Sequence, residues 1–90
     1  MTCRIERRAA RNGVVLRVSG RIEGAYVAML RESIRKEKAK RGLAIDLAEV
    51  TLVSQDAVDA LADAEDTGVE LRDCPAYIRE WVSRAKTIND

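Results

Sequence analysis

The chain has 90 residues, of which 47% are hydrophobic and 34% charged, with two cysteines and no histidine. This balance predicts a single globular domain over residues 1–90 rather than a disordered chain. Because histidine, the commonest general base and metal ligand, is absent, we expect no metal site and no catalytic set. Gly20 and Gly24 lack the spacing of a dinucleotide-binding motif, and we expect no cofactor. The sequence has no apolar run near the roughly 20 residues of a membrane span, and it does not begin like a signal peptide. These features predict a cytoplasmic protein.

Charge is unevenly distributed, although the formal net charge is only +1. Residues 1–41 carry twelve Lys or Arg and four acids, a balance of +8, whereas residues 42–90 carry four and eleven, a balance of −7. The basic half has few aromatic side chains on which bases could stack, so we expect no nucleic-acid partner. The two halves are instead expected to neutralise each other in the fold.

Two segments with alternating apolar and charged side chains open the chain, at residues 2–9 and 14–19. Such alternation is typical of strands with one buried face. Asn12-Gly13 lies between them and is a strong signal for a hairpin turn. We therefore predict an antiparallel hairpin, followed by a break at residues 20–24.

A helical pattern begins at Ala25. Val27, Leu30 and Ile34 recur at i, i+3 and i+7, which predicts a helix with one apolar stripe. Basic residues at its end and then Gly42 fit the stabilisation of a helix C-terminus by cations and its termination by glycine. The basic run consists of Arg35, Lys36, Lys38, Lys40 and Arg41.

The remaining sequence alternates between strands and helices. Residues 43–47 are short and apolar, as in a central strand, residues 48–53 are expected to be a loop, and a second helix is predicted from Gln55 or Asp56 to Gly68. Residues 69–72 alternate as a fourth strand, and Pro75 opens a third helix. The order ββαβαβα predicts an α/β fold with a mixed, mostly parallel four-stranded sheet and three helices. The helices are expected to cover the sheet through Leu30, Ile34, Leu61, Ile78 and Trp81.

Four aspartates fall on one side of the second helix at about 100° per residue. They form either a solubilising outer face or a docking surface for a basic partner. A calcium site is not expected, because these acids lie along a helix and do not wrap a loop. The stripe consists of Asp56, Asp59, Asp63 and Asp66.

Two cysteines and two aromatic residues are further candidates. Cys74 precedes the third helix, where the helix dipole would lower a thiol pKa, but without histidine as a base we expect it to be structural. Cys3 is expected to be a small apolar residue of the first strand. Tyr77 and Trp81 are four residues apart and are predicted to pack together over the sheet.

Four segments resemble the STAS domain, the fold of bacterial anti-anti-sigma factors and of sulfate-transporter tails. Residues 15–23 are similar to that family's strand ending in Ser-Gly and an acidic residue. Residues 44–53, AIDLAEVTLV, resemble its Val-Leu-Asp-Leu-Ser-Gly-Val-Thr-Phe-Ile stretch. The start of the second helix and residues 68–72 follow in the family's order, so the resemblance extends over about residues 15–84.

The family's next motif is Asp-Ser-Ser-Gly-Leu, and the sequence in its place is Ser54-Gln55-Asp56-Ala57-Val58. In phospho-regulated members the second serine accepts the phosphate, so the resemblance makes Asp56 the equivalent of the phosphorylation site. A carboxylate cannot accept a phosphate from a serine kinase, which implies that Asp56 is not a phospho-switch. Asp56 would be either a fixed charge or only a helix cap, while Ser54 and Thr51 remain modifiable hydroxyls.

The resemblance implies a non-catalytic regulatory module that binds a protein partner through residues 50–64. The leading hypothesis is an anti-sigma factor antagonist that binds a kinase-like anti-sigma factor. The alternative is a cytoplasmic accessory subunit that binds the ATPase of an ABC-type lipid or solute transporter, and a third hypothesis is a thiol-dependent enzyme using Cys74. A second copy of the chain is a further candidate partner. The partner-binding candidates are Ser54, Gln55, Asp56, Asp59 and Asp63.

Overall fold

The computed structural model has the predicted order of strands and helices and describes residues 3–38 and 42–89. The elements are β1 (Cys3–Ala10), β2 (Gly13–Ile22), α1 (Ala25–Lys38), β3 (Gly42–Val53), α2 (Gln55–Asp66), β4 (Glu70–Arg72) and α3 (Ala76–Asn89). β1 pairs with β2 antiparallel, and β2 with β3 and β3 with β4 parallel, in the spatial order β1-β2-β3-β4. Thr2 of the first predicted strand, and Lys40 and Arg41 of the basic run, lie outside the described residues.

The sheet packs one of its faces against all three helices. Alternate residues of β2 and β3 are buried on this face, and the parallel partners Leu16 and Ile45 are at most 2% exposed. α1 contacts α2, and α2 contacts α3, so the three helices lie on the same side of the sheet, as the general right-handedness of parallel crossovers predicts for strands that follow one another in order. The buried helix residues join the strand residues in a single cluster. They include Val27, Leu30 and Ile34 of α1, Val58, Leu61 and Ala62 of α2, and Ile78 and Val82 of α3.

β3 continues through residues 48–53, so the prediction of a loop there is wrong. Twelve residues of β3 run beside ten of β2, and the register shifts between Arg17 and Ser19 and again between Gly20 and Arg21. Extra residues of this kind interrupt the regular alternation of a strand, which is why the sequence pattern looked like a loop. At the first shift the Asp46 carboxylate accepts a hydrogen bond from the Ala48 N–H at 2.9 Å.

The hairpin turn lies one residue earlier than predicted. Ala10 pairs with Gly13, so Arg11 and Asn12 form the turn and Gly13 is already the first residue of β2. A Cβ at Gly13 would overlap the carbonyl oxygen of Gly42. Gly13 is therefore needed for the close approach of β2 to β3 at this end of the sheet.

The third helix leaves both of its large aromatic residues at the surface. Ile78 and Val82 are fully buried, whereas Tyr77 is 47% and Trp81 41% exposed. The prediction that Tyr77 and Trp81 pack together over the sheet, and that Trp81 covers it, is therefore wrong. Because Ile78, Val82 and Ala85 already form the buried face of α3, Tyr77 and Trp81 fall to one side of it at helical spacing.

We predict that Ile45→Ala lowers the free energy of unfolding by about 2–5 kcal/mol, because it opens a cavity between the sheet and the helices. Urea unfolding of the wild type and of the variant measures this loss. Thr51→Ala, at an exposed position of the same strand, is the matched control. A loss at Ile45 no larger than that at Thr51 would contradict the position of β3 in the core.

Candidate docking surface at the start of α2

The parallel strands β2 and β3 end side by side and fix the position at which α2 begins. Ile22 pairs with Val53, and the N–H of Ser54 donates to the carbonyl oxygen of Ile22 at 3.0 Å. The carbonyl oxygen of Ser54 then accepts from the N–H of Val58, also at 3.0 Å. The first turn of α2 is thereby held at the carboxyl edge of the two central strands.

Ser54, and not Asp56, caps α2. The Ser54 hydroxyl accepts a hydrogen bond from the N–H of Ala57 at 3.2 Å, and its backbone is extended. Such a cap stabilises a helix by about 0.5–2 kcal/mol. Asp56 lies in the first turn with an exposed side chain, where the helix dipole favours a negative charge. Asp56 therefore presents its carboxylate to solvent, and the hypothesis that it acts as the cap is wrong.

The predicted stripe of four aspartates is divided by ion pairs to the neighbouring helices. Asp63 lies 3.1 Å from a guanidinium nitrogen of Arg31 on α1, and Asp66 lies 3.4 Å from the ammonium of Lys86 on α3. The Asp59 carboxylate accepts a hydrogen bond from the side-chain amide of Gln55 at 3.2 Å. Among the predicted partner-binding residues, Asp63 thus contacts α1, while Ser54, Gln55, Asp56 and Asp59 lie together at the start of α2.

Two exposed aromatic residues of α3 lie beside this first turn. The Tyr77 hydroxyl donates to the carbonyl oxygen of Thr51 near the end of β3, at 3.1 Å. Trp81 and Gln55, together with Arg84 and Ala85, line a shallow depression of about 230 Å³. We call Gln55, Asp56, Asp59, Tyr77 and Trp81 the α2 docking surface. The sequence analysis considered the two aromatic residues but assigned them to packing over the sheet, because their helical spacing is equally compatible with burial.

An ion-pair network fixes α3 against α2. Both carboxylate oxygens of Glu65 accept from the Arg79 guanidinium, at 2.8 and 3.1 Å, and the Lys86 ammonium donates to Glu65 at 3.2 Å. The hydrogen bonds from Arg79 hold the pKa of the Glu65 carboxyl below its ordinary value, with a smaller effect of Lys86. This network fixes the face of α3 that presents Trp81 beside Gln55.

Cys74 does not have the lowered thiol pKa that its position before α3 predicted. It is half-buried, and this burial raises its pKa, which the nearby charge of Arg79 only partly offsets. A thiol with a raised pKa is protonated at neutral pH and is a poor nucleophile. Cys3 is buried in the core, as expected, and burial raises its pKa as well.

Neither a metal site nor a membrane span is found in the described part of the chain. Over residues 3–38 and 42–89, the side chains of Cys, Asp and Glu form no group of three that could hold a metal ion. Within the same ranges, every helix is too short or too polar to cross a bilayer.

Comparison with known proteins shows a likeness of fold. No family matches the sequence, and no curated protein matches it. The structure is similar to that of the anti-sigma factor antagonist SpoIIAA in its unphosphorylated form, with a TM-score of 0.67 over 88% of this chain and 79% of that chain. The identity is 16%, so the likeness concerns the fold alone. The chain thus has the STAS fold that the sequence resemblance implied.

We predict that the Glu65 network stabilises the protein at neutral pH and not in acid. Because the folded pKa of Glu65 lies below its unfolded value of about 4.3, its contribution is present above that value and is lost as the pH falls through the folded pKa. Glu65→Gln should therefore lower the free energy of unfolding by about 1–2 kcal/mol at about pH 7, and by less at about pH 3, which lies below the unfolded pKa.

Urea unfolding at the two pH values measures this difference. Glu80→Gln is the matched control, because Glu80 forms an exposed ion pair with Arg84 within α3. A loss at Glu65 that is equal at both pH values, or no larger than that at Glu80, would contradict the role of the network.

Proposed function

We propose that the chain is a non-catalytic regulatory module of the anti-sigma factor antagonist type, which acts in the cytoplasm by binding a protein partner through the α2 docking surface. The observation that carries this proposal is the exposed first turn of α2 on a STAS fold. It presents Asp56 at the position that resembles the family's phosphoacceptor serine, and the preceding residue, Gln55, lines a depression together with the exposed Trp81.

The α2 docking surface has the composition of a protein interface. Trp and Tyr are among the residues that contribute most to binding energy in such interfaces, and here they stand next to two carboxylates, Asp56 and Asp59. The depression beside Trp81 provides room for an apolar side chain. The complementary partner surface carries an apolar residue flanked by Lys or Arg.

Asp56 supplies a fixed negative charge in this proposal. A phosphoserine brings nearly two charges and three acceptor oxygens, whereas Asp brings one charge and two oxygens. The first turn of α2 stabilises either group through its free N–H groups and dipole. The surface would thus hold permanently part of the charge that phosphorylation adds in switched relatives, and a serine kinase could not change it at this residue.

The thiol-dependent enzyme is the weaker hypothesis on chemical grounds. It needs Cys74 as a thiolate near neutral pH, and the raised pKa of this thiol removes that property. The SpoIIAA likeness, by contrast, supports the antagonist class, since that neighbour is itself an anti-sigma factor antagonist.

The test begins with recovery of the partner from an extract of the native host by the immobilised wild-type chain, followed by mass spectrometry. Binding of the purified partner is then measured by calorimetry for the wild type and for Asp56→Lys, Asp56→Asn and Asp56→Ser. We expect Asp56→Lys to weaken binding at least about tenfold, because it opposes a complementary charge. Asp56→Asn and Asp56→Ser should both change the affinity in the same direction.

Glu32→Lys is the matched control, since Glu32 is an exposed helical acid that pairs with Arg35 on α1. It should leave the affinity unchanged, and Trp81→Ala should weaken it. Wild-type affinity in all three Asp56 variants would refute Asp56 as a binding residue. Wild-type affinity in Trp81→Ala as well would refute the α2 docking surface as a whole.

A further inference from the structure

The face of the sheet opposite the helices, which we call the open face, carries charges in two ordered rows. In the first row Glu6 pairs in register with Arg17, Arg17 with Asp46, and Asp46 with Arg72, so that one residue comes from each strand. These side chains are exposed or half-buried. Read from β1 to β4, the row has the signs minus, plus, minus, plus.

The second row lies two residues away along the strands. Arg8 pairs with Val15, Val15 with Ala44, and Ala44 with Glu70. A positive charge on β1 and a negative charge on β4 therefore flank two apolar residues, the half-buried Val15 and the buried Ala44. At the level of Ser19, Arg4 on β1 and the exposed Glu49 on β3 add one charge of each sign to this face. Arg4 also lies 3.5 Å from Glu6.

Each row of charges is complementary to the same row of a second copy placed in the opposite order. A half-turn about an axis that lies in the face and runs parallel to the strands places β1 over β4 and β2 over β3 of a second copy. Glu6 then faces Arg72, and Arg17 faces Asp46. In the second row Arg8 faces Glu70 in the same way, and Val15 faces Ala44. Every charge of the two rows meets its opposite, and each contact occurs twice, as a two-fold interface requires.

We propose that the open face binds a second copy of this chain, face to face, about a two-fold axis parallel to the strands. Sheets that pack face to face keep their strands within about 30° of one another at a separation of about 10 Å, and a half-turn about this axis preserves the strand direction. The charged pairs set the register of the interface, since like charges placed opposite each other are strongly unfavourable.

Charge balance identifies a second copy as the occupant. The two rows together carry three arginines and three acids, so they offer no excess of either sign to a nucleic acid or to a strongly charged protein. The alternation of positive and negative side chains along the row instead matches a surface that carries the same charges, at the same spacing, in the reverse order. A second copy of this chain provides such a surface. The interface lies on the side of the sheet away from α2 and is independent of the α2 docking surface.

Sedimentation velocity at concentrations from about 10 µM to about 1 mM tests the proposal. We expect the wild type to dimerise, and to do so more weakly in high salt. Arg17→Glu and Asp46→Lys should each weaken the dimer about 100-fold or more, because each places like charges opposite each other at two symmetric contacts. An equimolar mixture of the two variants should associate again, since the two substituted side chains then face each other with opposite charges, and so do the unaltered Asp46 and Arg17.

A second pair of variants avoids the hydrogen bond from Ala48 that Asp46 accepts. Glu6→Lys and Arg72→Glu should each be monomeric alone and associate when mixed. Arg35→Glu, which reverses an exposed charge on α1, should dimerise like the wild type, and circular dichroism checks that each variant is folded. A wild type that is monomeric at all concentrations, single variants that dimerise normally, or folded variants of both pairs that do not associate on mixing would overturn the proposal.

Discussion

β2 and β3 run parallel along the centre of the sheet, and the other elements are positioned relative to this pair. Their inward side chains, with Leu16 opposite Ile45, form the floor on which the helices pack. Their ends meet at Ile22 and Val53, and the hydrogen bond from Ser54 to Ile22 starts α2 at that point. The helices contact one another and share one core with the sheet, so they occupy one face and leave the other to water.

This one-sided packing explains the chemistry of both surfaces. On the helix side most apolar residues are buried, and the exposed groups include the carboxylates at the start of α2 and the aromatic residues of α3. On the open side, period-2 alternation places charged residues on every strand. The protein therefore presents two chemically different surfaces, of which one combines aromatic and acidic groups and the other alternates positive and negative charges.

Much of the fold could be predicted from the sequence, because most of its strands and helices are marked by local sequence patterns. Alternation marked β1 and β2, the spacing of Val27, Leu30 and Ile34 marked α1, and glycine and proline marked the ends of the later elements. The second half of β3 could not be predicted from the sequence, because its two register shifts with β2 displace the alternation of apolar and polar residues. Such shifts depend on the partner strand, and a single strand's sequence does not record them.

The candidate site could be predicted only in part from the sequence. The first turn of α2 was located correctly, since Ser54 and Asp56 are typical of a helix start and the STAS resemblance coincides there. The grouping of the four aspartates was not predicted correctly, because the partners of Asp63 and Asp66 are residues of α1 and α3. Nor does spacing reveal whether Trp81 is buried, since that depends on which of several apolar residues of α3 faces α2.

The central claim is that a protein partner covers the start of α2. At the start of α2, Ser54 accepts hydrogen bonds from the N–H groups of Ala57 and Val58. The N–H groups that precede them have no acceptor within the helix, so their hydrogen exchange reports directly on what covers them. We propose to measure hydrogen–deuterium exchange of the chain alone and in complex with its purified partner. If the partner covers the start of α2, exchange in the complex is slower at residues 51–59 and 77–84, and exchange of β1 is unchanged. Slower exchange confined to other segments, with residues 55–59 exchanging as in the free chain, would contradict the central claim.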